Sequence, residues 1–152
     1  MARISYALVG IAGVHYVASE LSRRGLIALP TTRNTAAYDI AVTTVNGKGH
    51  ANVQVKTSLK RVTFFPMPSS VRVRSGPNDY YVLLRWLASE ERFEGFLLSG
   101  RQARLAVQRE ERSQKKRIAQ GKRRKIFPSI QVGPKAGARA NRWRQQWRQW
   151  KL

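Results

Sequence analysis

The fold is decided by residues 38–58, whose sequence is YDIAVTTVNGKGHANVQVKTS. Tyr38 to Val45 and Ala51 to Ser58 are rich in β-branched residues with partial alternation, which predicts two strands. Between them, Asn46-Gly47-Lys48-Gly49 is the signal of a tight hairpin turn. We therefore expect Asp39 and Lys56 on adjacent antiparallel strands.

The segment before this hairpin predicts an amphipathic helix. Apolar residues at positions 4, 8, 11, 14, 17, 18 and 21 follow the spacing of one helical face. We expect the helix to run from about Ser5 to Arg24 and to end at Gly25, which tolerates a positive φ. Gly10 and Gly13 predict close packing of its first half against a sheet. A short signal sequence over residues 7–18 is the weaker interpretation, because the helical periodicity continues beyond it.

Further strands and a long helix are predicted around and after the hairpin. Leu26 to Leu29 precedes it as a short strand, and residues 64–77, with three of the six prolines, predict a loop or an edge excursion. Tyr80 to Trp86 and Phe93 to Leu98 predict two more strands, and a charged helix with a serine N-cap follows from Arg101 to about Ala119. The expected class is α/β in the α+β sense, with an N-terminal helix, a mixed central sheet of about four to five strands, a following helix and a basic C-terminal extension.

The charge of the chain is concentrated in its last third. The chain has 29 Lys and Arg against 8 Asp and Glu, which gives a formal charge of +21. Residues 1–98 hold 12 basic and 6 acidic side chains, whereas residues 99–152 hold 17 and 2. We therefore predict a core over 1–98 and a basic helical extension over 99–152 that packs on the core and contacts nucleic acid. An anionic membrane surface is the weaker alternative.

Composition also excludes several kinds of site. The chain has no cysteine, which rules out disulfides, thiolate zinc sites and cysteine nucleophiles, and agrees with an expected cytoplasmic location. Its two histidines alone make no metal site. The only apolar segment that resembles a targeting signal is too short to span a bilayer. No membrane partner is expected, because the basic segment lacks long aliphatic faces apart from the tryptophans.

The basic extension holds the candidate phosphate contacts. Such residues bind the nucleic-acid backbone, and their binding falls with salt. A solvated charged helix is the alternative. Trp143, Trp147 and Trp150 share one face of a final helix, and either dock on the core or stack on unpaired bases. The candidate nucleic-acid-binding residues are Lys115, Lys116, Arg117, Lys122, Arg123, Arg124, Lys125, Arg142 and Arg144.

The hairpin carries residues suited to phosphodiester hydrolysis. Such a site needs an acid at a strand end to hold a divalent ion, a second oxygen ligand on the next strand and a lysine two residues further on. Side chains alternate along a strand, so Gln54 and Lys56 point to one face, and Asp39 can point there from across the hairpin. A loop-capping role for Asp39, and a solvated strand position for Lys56, are the simpler alternatives.

Four short segments carry a resemblance to a known family, and these are Gly13, Val17 to Gly25, Tyr38-Asp39-Ile40 and Val53 to Ser58. With them, about two-thirds of the chain resembles the small bacterial and phage proteins of the PD-(D/E)XK nuclease superfamily, related in fold to archaeal Holliday-junction resolvases and restriction endonucleases. It implies a restriction-endonuclease-like core and a metal-dependent endonuclease that acts on nucleic acid, with DNA favoured over RNA. It also permits a homodimer.

The resemblance assigns roles to individual residues. It implies that Asp39, Gln54 and the backbone carbonyl of Val55 bind Mg²⁺ or Mn²⁺, weakly because Gln54 carries no charge, and that Lys56 assists the attack of water. Glu20 is a further catalytic candidate, although an ion pair with Arg23 or Arg24 is the alternative.

Two departures from the family favour a second hypothesis. The family commonly has glutamate where this chain has Val14, and often Asp or Glu where it has Gln54. A nucleic-acid-binding protein that retains the nuclease fold without its catalysis is therefore the alternative function. A basic structural protein of a nucleoprotein particle is a third.

Overall fold

A mixed five-stranded sheet with helices on both faces organises the chain. The structure is a computed structural model that describes residues 4–32, 38–73 and 76–152. The strands of the main sheet are β1 (Leu26–Pro30), β2 (Ile40–Thr44), β3 (His50–Ser58), β5 (Asp79–Leu87) and β6 (Arg92–Ser99). A second, two-stranded sheet pairs β4 (Phe64–Pro66) with β7 (Ser129–Gln131). The helices are α1 (Tyr6–Arg23), α2 (Gly100–Ala119) and α3 (Ala138–Gln149).

The strand order of the main sheet is β1-β2-β3-β5-β6. Neighbouring strands are antiparallel except β3 and β5, which run parallel. Between these two strands the chain leaves the sheet through β4 and a 3-10 turn at Ser69–Arg72, so the expected excursion is confirmed. The α+β class, with an N-terminal helix, a mixed sheet and a following helix, is also confirmed.

The two faces of the sheet bury separate hydrophobic clusters. On the α1 side, Val17 and Leu21 pack with Val53 and Val55 of β3. On the α2 side, Val107 packs in a cluster that also holds side chains of β4, β5, β6 and β7. The odd-numbered residues of β3 face α1, so its even-numbered residues Asn52, Gln54 and Lys56 face the other side.

The tryptophan stripe of α3 is buried. Trp143 belongs to the cluster on the α2 side, whereas Trp147 and Trp150 belong to the cluster on the α1 side. The Nε1 atom of Trp147 approaches so closely to Gly95 on β6 that a Cβ there would lie 2.5 Å from it. Docking of the stripe on the core, rather than its exposure for base stacking, is therefore what the structure shows.

Capping residues in the sequence mark the ends of α1 and α2. The Ser5 side chain accepts a hydrogen bond from Leu8 N–H, and Gly25 has a φ of 81° directly after α1. Ser99 and Gln102 form a capping box at the start of α2.

After Lys125 the sequence contains prolines and glycines up to Gly137 and predicts an irregular segment. The segment nevertheless contains β7, which the sequence does not indicate because three residues between prolines give no strand signal. The polar sequence of residues 31–36 predicts a loop, and most of it falls on residues 33–37, which lie outside the described residues.

No helix within residues 4–32, 38–73 and 76–152 is long and apolar enough to cross a membrane.

Gly13 and Gly10 provide a matched pair of stability tests on α1. A Cβ on Gly13 would lie 1.7 Å from Thr57 Oγ1 and 2.8 Å from Thr57 Cβ, whereas a Cβ on Gly10 meets nothing within 4 Å. We expect Gly13→Ala to lower the free energy of unfolding by about 1–3 kcal/mol through overpacking. Gly10→Ala should raise it by about 0.5–1 kcal/mol through helix propensity. Urea unfolding of both variants checks this, and a stabilising effect of Gly13→Ala would contradict the close packing.

Candidate functional site

The candidate site lies where β3 extends beyond the start of β2. Ile40 of β2 pairs with Val53, so Asp39 lies opposite Gln54. Beyond this point, the described part of β2 offers β3 no further ladder partner. The backbone N–H of Val55 donates instead to Asp39 Oδ2, over 2.7 Å. The carboxylate of Asp39 is therefore fixed at an open edge of the sheet by the backbone of β3.

Gln54 supplies a buried oxygen at the same point. Its side-chain Oε1 is buried and has no hydrogen-bond partner among the described residues. An unsatisfied buried acceptor costs about 1–3 kcal/mol, and a bound water or ion is one way in which a protein satisfies it. This oxygen is therefore available to a ligand.

Lys56 lies two residues further along β3, on the same face as Gln54. Its neighbour in the parallel ladder is Leu83 of β5, and the side chain is half-buried. The ammonium forms no ion pair within the described part of the chain, and Asp39 is beyond ion-pair distance. Lys56 therefore carries an uncompensated positive charge next to the edge that Asp39 occupies.

A cavity of about 410 Å³ opens between the first half of α1 and this edge. Asp39 and Val55 line it, together with Tyr6, Val14 and His15. Gln54 and Lys56 do not line it, because they leave β3 on the opposite face. The structure thus places Asp39 and Val55 at the cavity, and Gln54 and Lys56 on the face of β3 that is turned to α2. Asp39 borders both, because it lies just before the start of β2 directly opposite Gln54, and opposite residues of an antiparallel pair share a face. No sequence pattern indicated Tyr6 or His15 at this place.

Glu20 lies outside this cavity. Its carboxylate is 2.7 Å from Arg23 and 3.4 Å from Arg24, and Arg24 also donates to the backbone carbonyl of Trp147. Burial and then the charge of Glu20 raise the pKa of Tyr16 above its ordinary value. In this structure Glu20 pairs with both arginines and is linked to α3 through Arg24, so the ion-pair alternative describes this residue.

The basic candidates fall into three structural groups. Six are exposed, and these are Lys115, Lys116, Lys122, Arg124, Lys125 and Arg142. Arg117 and Arg123 are half-buried and line a second cavity beside α2. Arg144 differs from the others, because its Nε lies 3.2 Å from the buried carboxylate of Glu94. The guanidinium of Arg144 is therefore engaged with the protein itself.

The described residues contain no group of three or more His, Cys, Asp or Glu side chains that could hold a metal ion. The predicted ligand set is of another kind, with one carboxylate, one amide oxygen and one backbone carbonyl. All three are hard oxygen donors, which Mg²⁺ and Mn²⁺ prefer. The buried, unpartnered oxygen of Gln54 fits this role.

Comparison with known proteins finds similarity to a solved structure. No protein-family model matches the chain, and no curated protein sequence matches it. The chain is similar to the solved structure of Hjc, a Holliday junction resolvase from the archaeal hyperthermophile Archaeoglobus fulgidus. The TM-score is 0.43, the sequences are 14% identical, and the match covers 60% of this chain and 78% of that chain. At this level of similarity, function has to be argued from this chain's own residues.

Proposed function

We propose that this protein is a metal-dependent endonuclease that hydrolyses phosphodiesters of nucleic acid, DNA rather than RNA, at the open edge of β3. The observation that carries the proposal is the buried, unpartnered Oε1 of Gln54 directly across the hairpin from Asp39. Asp39, Gln54 and the Val55 carbonyl would hold Mg²⁺ or Mn²⁺. When bound, such an ion lowers the pKa of a water molecule and stabilises charge on the phosphate.

The chain's own residues have separate tasks in this proposal. Asp39 contributes the negative charge, and the Val55 N–H keeps its carboxylate in place. Lys56 contributes the positive charge, which orients the phosphate or polarises the attacking water. Because Gln54 is neutral, the site has one formal negative charge, and weak binding of the ion is expected.

Cleavage of a panel of labelled substrates tests the proposal. The panel contains linear duplex, single-stranded and four-way-junction DNA with the matching RNA forms, each in Mn²⁺, Mg²⁺ and EDTA. The expected result is cleavage of DNA that requires the ion and stops in EDTA. Tight binding without cleavage in every condition would contradict the catalytic proposal.

Gln54→Glu is expected to strengthen metal binding. The substitution preserves the size of the side chain and replaces a neutral oxygen ligand by a charged one. We expect the dissociation constant for Mn²⁺ to fall by about tenfold, because one added charge contact is worth about 1.4 kcal/mol or more in a partly buried site. Isothermal titration calorimetry with Mn²⁺ measures this. Gln108→Glu on the exposed face of α2 is the control, and equal effects of the two would exclude Gln54 as a ligand.

A nucleic-acid-binding protein without cleavage is the second candidate function. The observation that favours it is that Asp39 is the one acidic residue among the described residues that line the cavity. Val14 stands where the family that the sequence resembles commonly has glutamate, and Glu20 is paired with Arg23 and Arg24. This function requires only the basic surface of residues 99–152. Binding should then weaken steeply with salt, whether or not a divalent ion is present. The homodimer and the cytoplasmic location stay predictions.

A further inference from the structure

A second cavity, of about 410 Å³, lies between α2 and the small β4–β7 sheet. Its lining does not include Asp39, Gln54 or Lys56. Five of its lining residues are either aromatic or positively charged. We call it the basic-aromatic pocket, and these residues are Phe64, Arg117, Arg123, Phe127 and Lys135.

The two phenylalanines of the pocket present their rings to solvent. Phe64 is 38% exposed and Phe127 is 36% exposed, and their ring centroids lie 6.0 Å apart at an interplanar angle of 51°. The guanidinium carbon of Arg123 lies 4.8 Å from the centre of the Phe127 ring. Rings and a guanidinium plane in this arrangement are the surfaces on which unpaired bases stack.

Phe127 is held in place although it belongs to no helix or strand. Gln114 of α2 is fully buried, and its Nε2 donates to the carbonyl of Phe127 over 3.1 Å. Its Oε1 accepts from the Phe127 N–H over 2.9 Å. Both backbone groups of Phe127 are therefore fixed by one side chain. The ring is preorganised for a ligand, which lowers the entropic cost of binding.

The charge around the rings suits phosphate. Arg117, Arg123 and Lys135 line the pocket, and Glu110 is the acid among the lining residues. The carboxylate of Glu110 accepts a hydrogen bond from Gln114 Nε2 over 3.3 Å. Three cations against one engaged carboxylate leave the pocket positive, so it fits an anion that carries an aromatic group.

We propose that the basic-aromatic pocket binds an unpaired nucleotide of a single-stranded segment. The base stacks against Phe64, Phe127 and the guanidinium of Arg123, and the neighbouring phosphates contact Arg117 and Lys135. The inference rests on the proposed action on nucleic acid, and it specifies which form of nucleic acid this surface accepts. A duplex does not fit the same contacts, because its bases already stack on one another and their faces are covered.

Fluorescence anisotropy in EDTA tests the pocket without interference from cleavage. The probes are a labelled oligothymidine, an abasic strand of equal length and a duplex. Wild-type protein should bind oligothymidine about tenfold more tightly than the abasic strand, because stacking of one base on an aromatic ring contributes about that factor. Phe127→Leu and Phe64→Leu should abolish this preference and leave abasic and duplex binding unchanged. Leucine retains apolar bulk and removes the ring.

Ile126→Ala is the matched control, since Ile126 is 40% exposed beside Phe127 and does not line the pocket. Its preference for oligothymidine should equal that of wild type. The proposal is overturned if wild type binds the oligothymidine and abasic strands equally, or if both leucine variants fold and keep the preference. Thermal unfolding establishes folding, and either variant alone suffices if the other does not fold. If wild-type protein shows the preference for oligothymidine but cleaves none of the labelled substrates, the catalytic proposal fails and the pocket proposal stands.

Discussion

Asp39→Asn and Lys56→Ala are each expected to lower metal-dependent cleavage by about a hundredfold or more. Asparagine retains an oxygen that accepts the Val55 N–H, so the edge of β3 keeps its hydrogen bond while the charge is removed. Lys56 forms no ion pair in the part of the chain that the structure describes, so its removal should cost little stability. Initial cleavage rates in saturating Mn²⁺ measure both effects.

Nucleic-acid affinity of the two variants should stay close to that of wild type. Most of the affinity is assigned to the basic residues of 99–152, which neither substitution changes. Lys60→Ala is the control, because Lys60 is an exposed lysine just after β3 and its loss removes the same charge from the same region. Loss of binding in both variants would contradict this division of labour. Full cleavage by Lys56→Ala would exclude Lys56 from catalysis.

The surroundings of Asp39 could be predicted from the sequence only in part. The alternation of residues and the Asn-Gly turn are local signals, so the hairpin of β2 and β3 and the opposition of Asp39 and Gln54 follow from the sequence. The hydrogen bond from Val55 N–H to Asp39 does not follow, because it depends on how far β3 extends beyond β2. That Asp39 also borders the cavity beside α1, which Gln54 does not line, was missed for the same reason.

Long-range pairing explains the other features that the sequence did not indicate. Strand β7 exists because it pairs with β4, and no local signal marks a three-residue strand. Gln114 resembles any polar residue of a charged helix, yet it is buried and fixes the backbone of Phe127. The basic-aromatic pocket is therefore visible only when α2, β4 and β7 are assembled.

Glu94→Ala is expected to produce the largest loss of stability. The Glu94 and Arg85 side chains are only 9% and 8% exposed, and Arg85 Nε donates to Glu94 Oε2 over 2.6 Å. Arg144 of α3 contacts the other carboxylate oxygen, at 3.2 Å. Removing Glu94 leaves the buried guanidinium of Arg85 without its counter-charge, which costs about 3–5 kcal/mol. Urea unfolding measures the change.

The exposed pair of Glu90 and Arg92 provides the control. Their side chains are 48% and 45% exposed, so solvent screens the interaction, and Glu90→Ala should lower the free energy of unfolding by less than about 1 kcal/mol. Glu94 joins β5 and β6 to α3, so its loss should weaken the sheet and the last helix together in one transition. Equal losses in the two variants would show that Arg85 regains water or another acceptor when Glu94 is absent. A separate early transition of α3 would show instead that residues 99–152 unfold independently of the core.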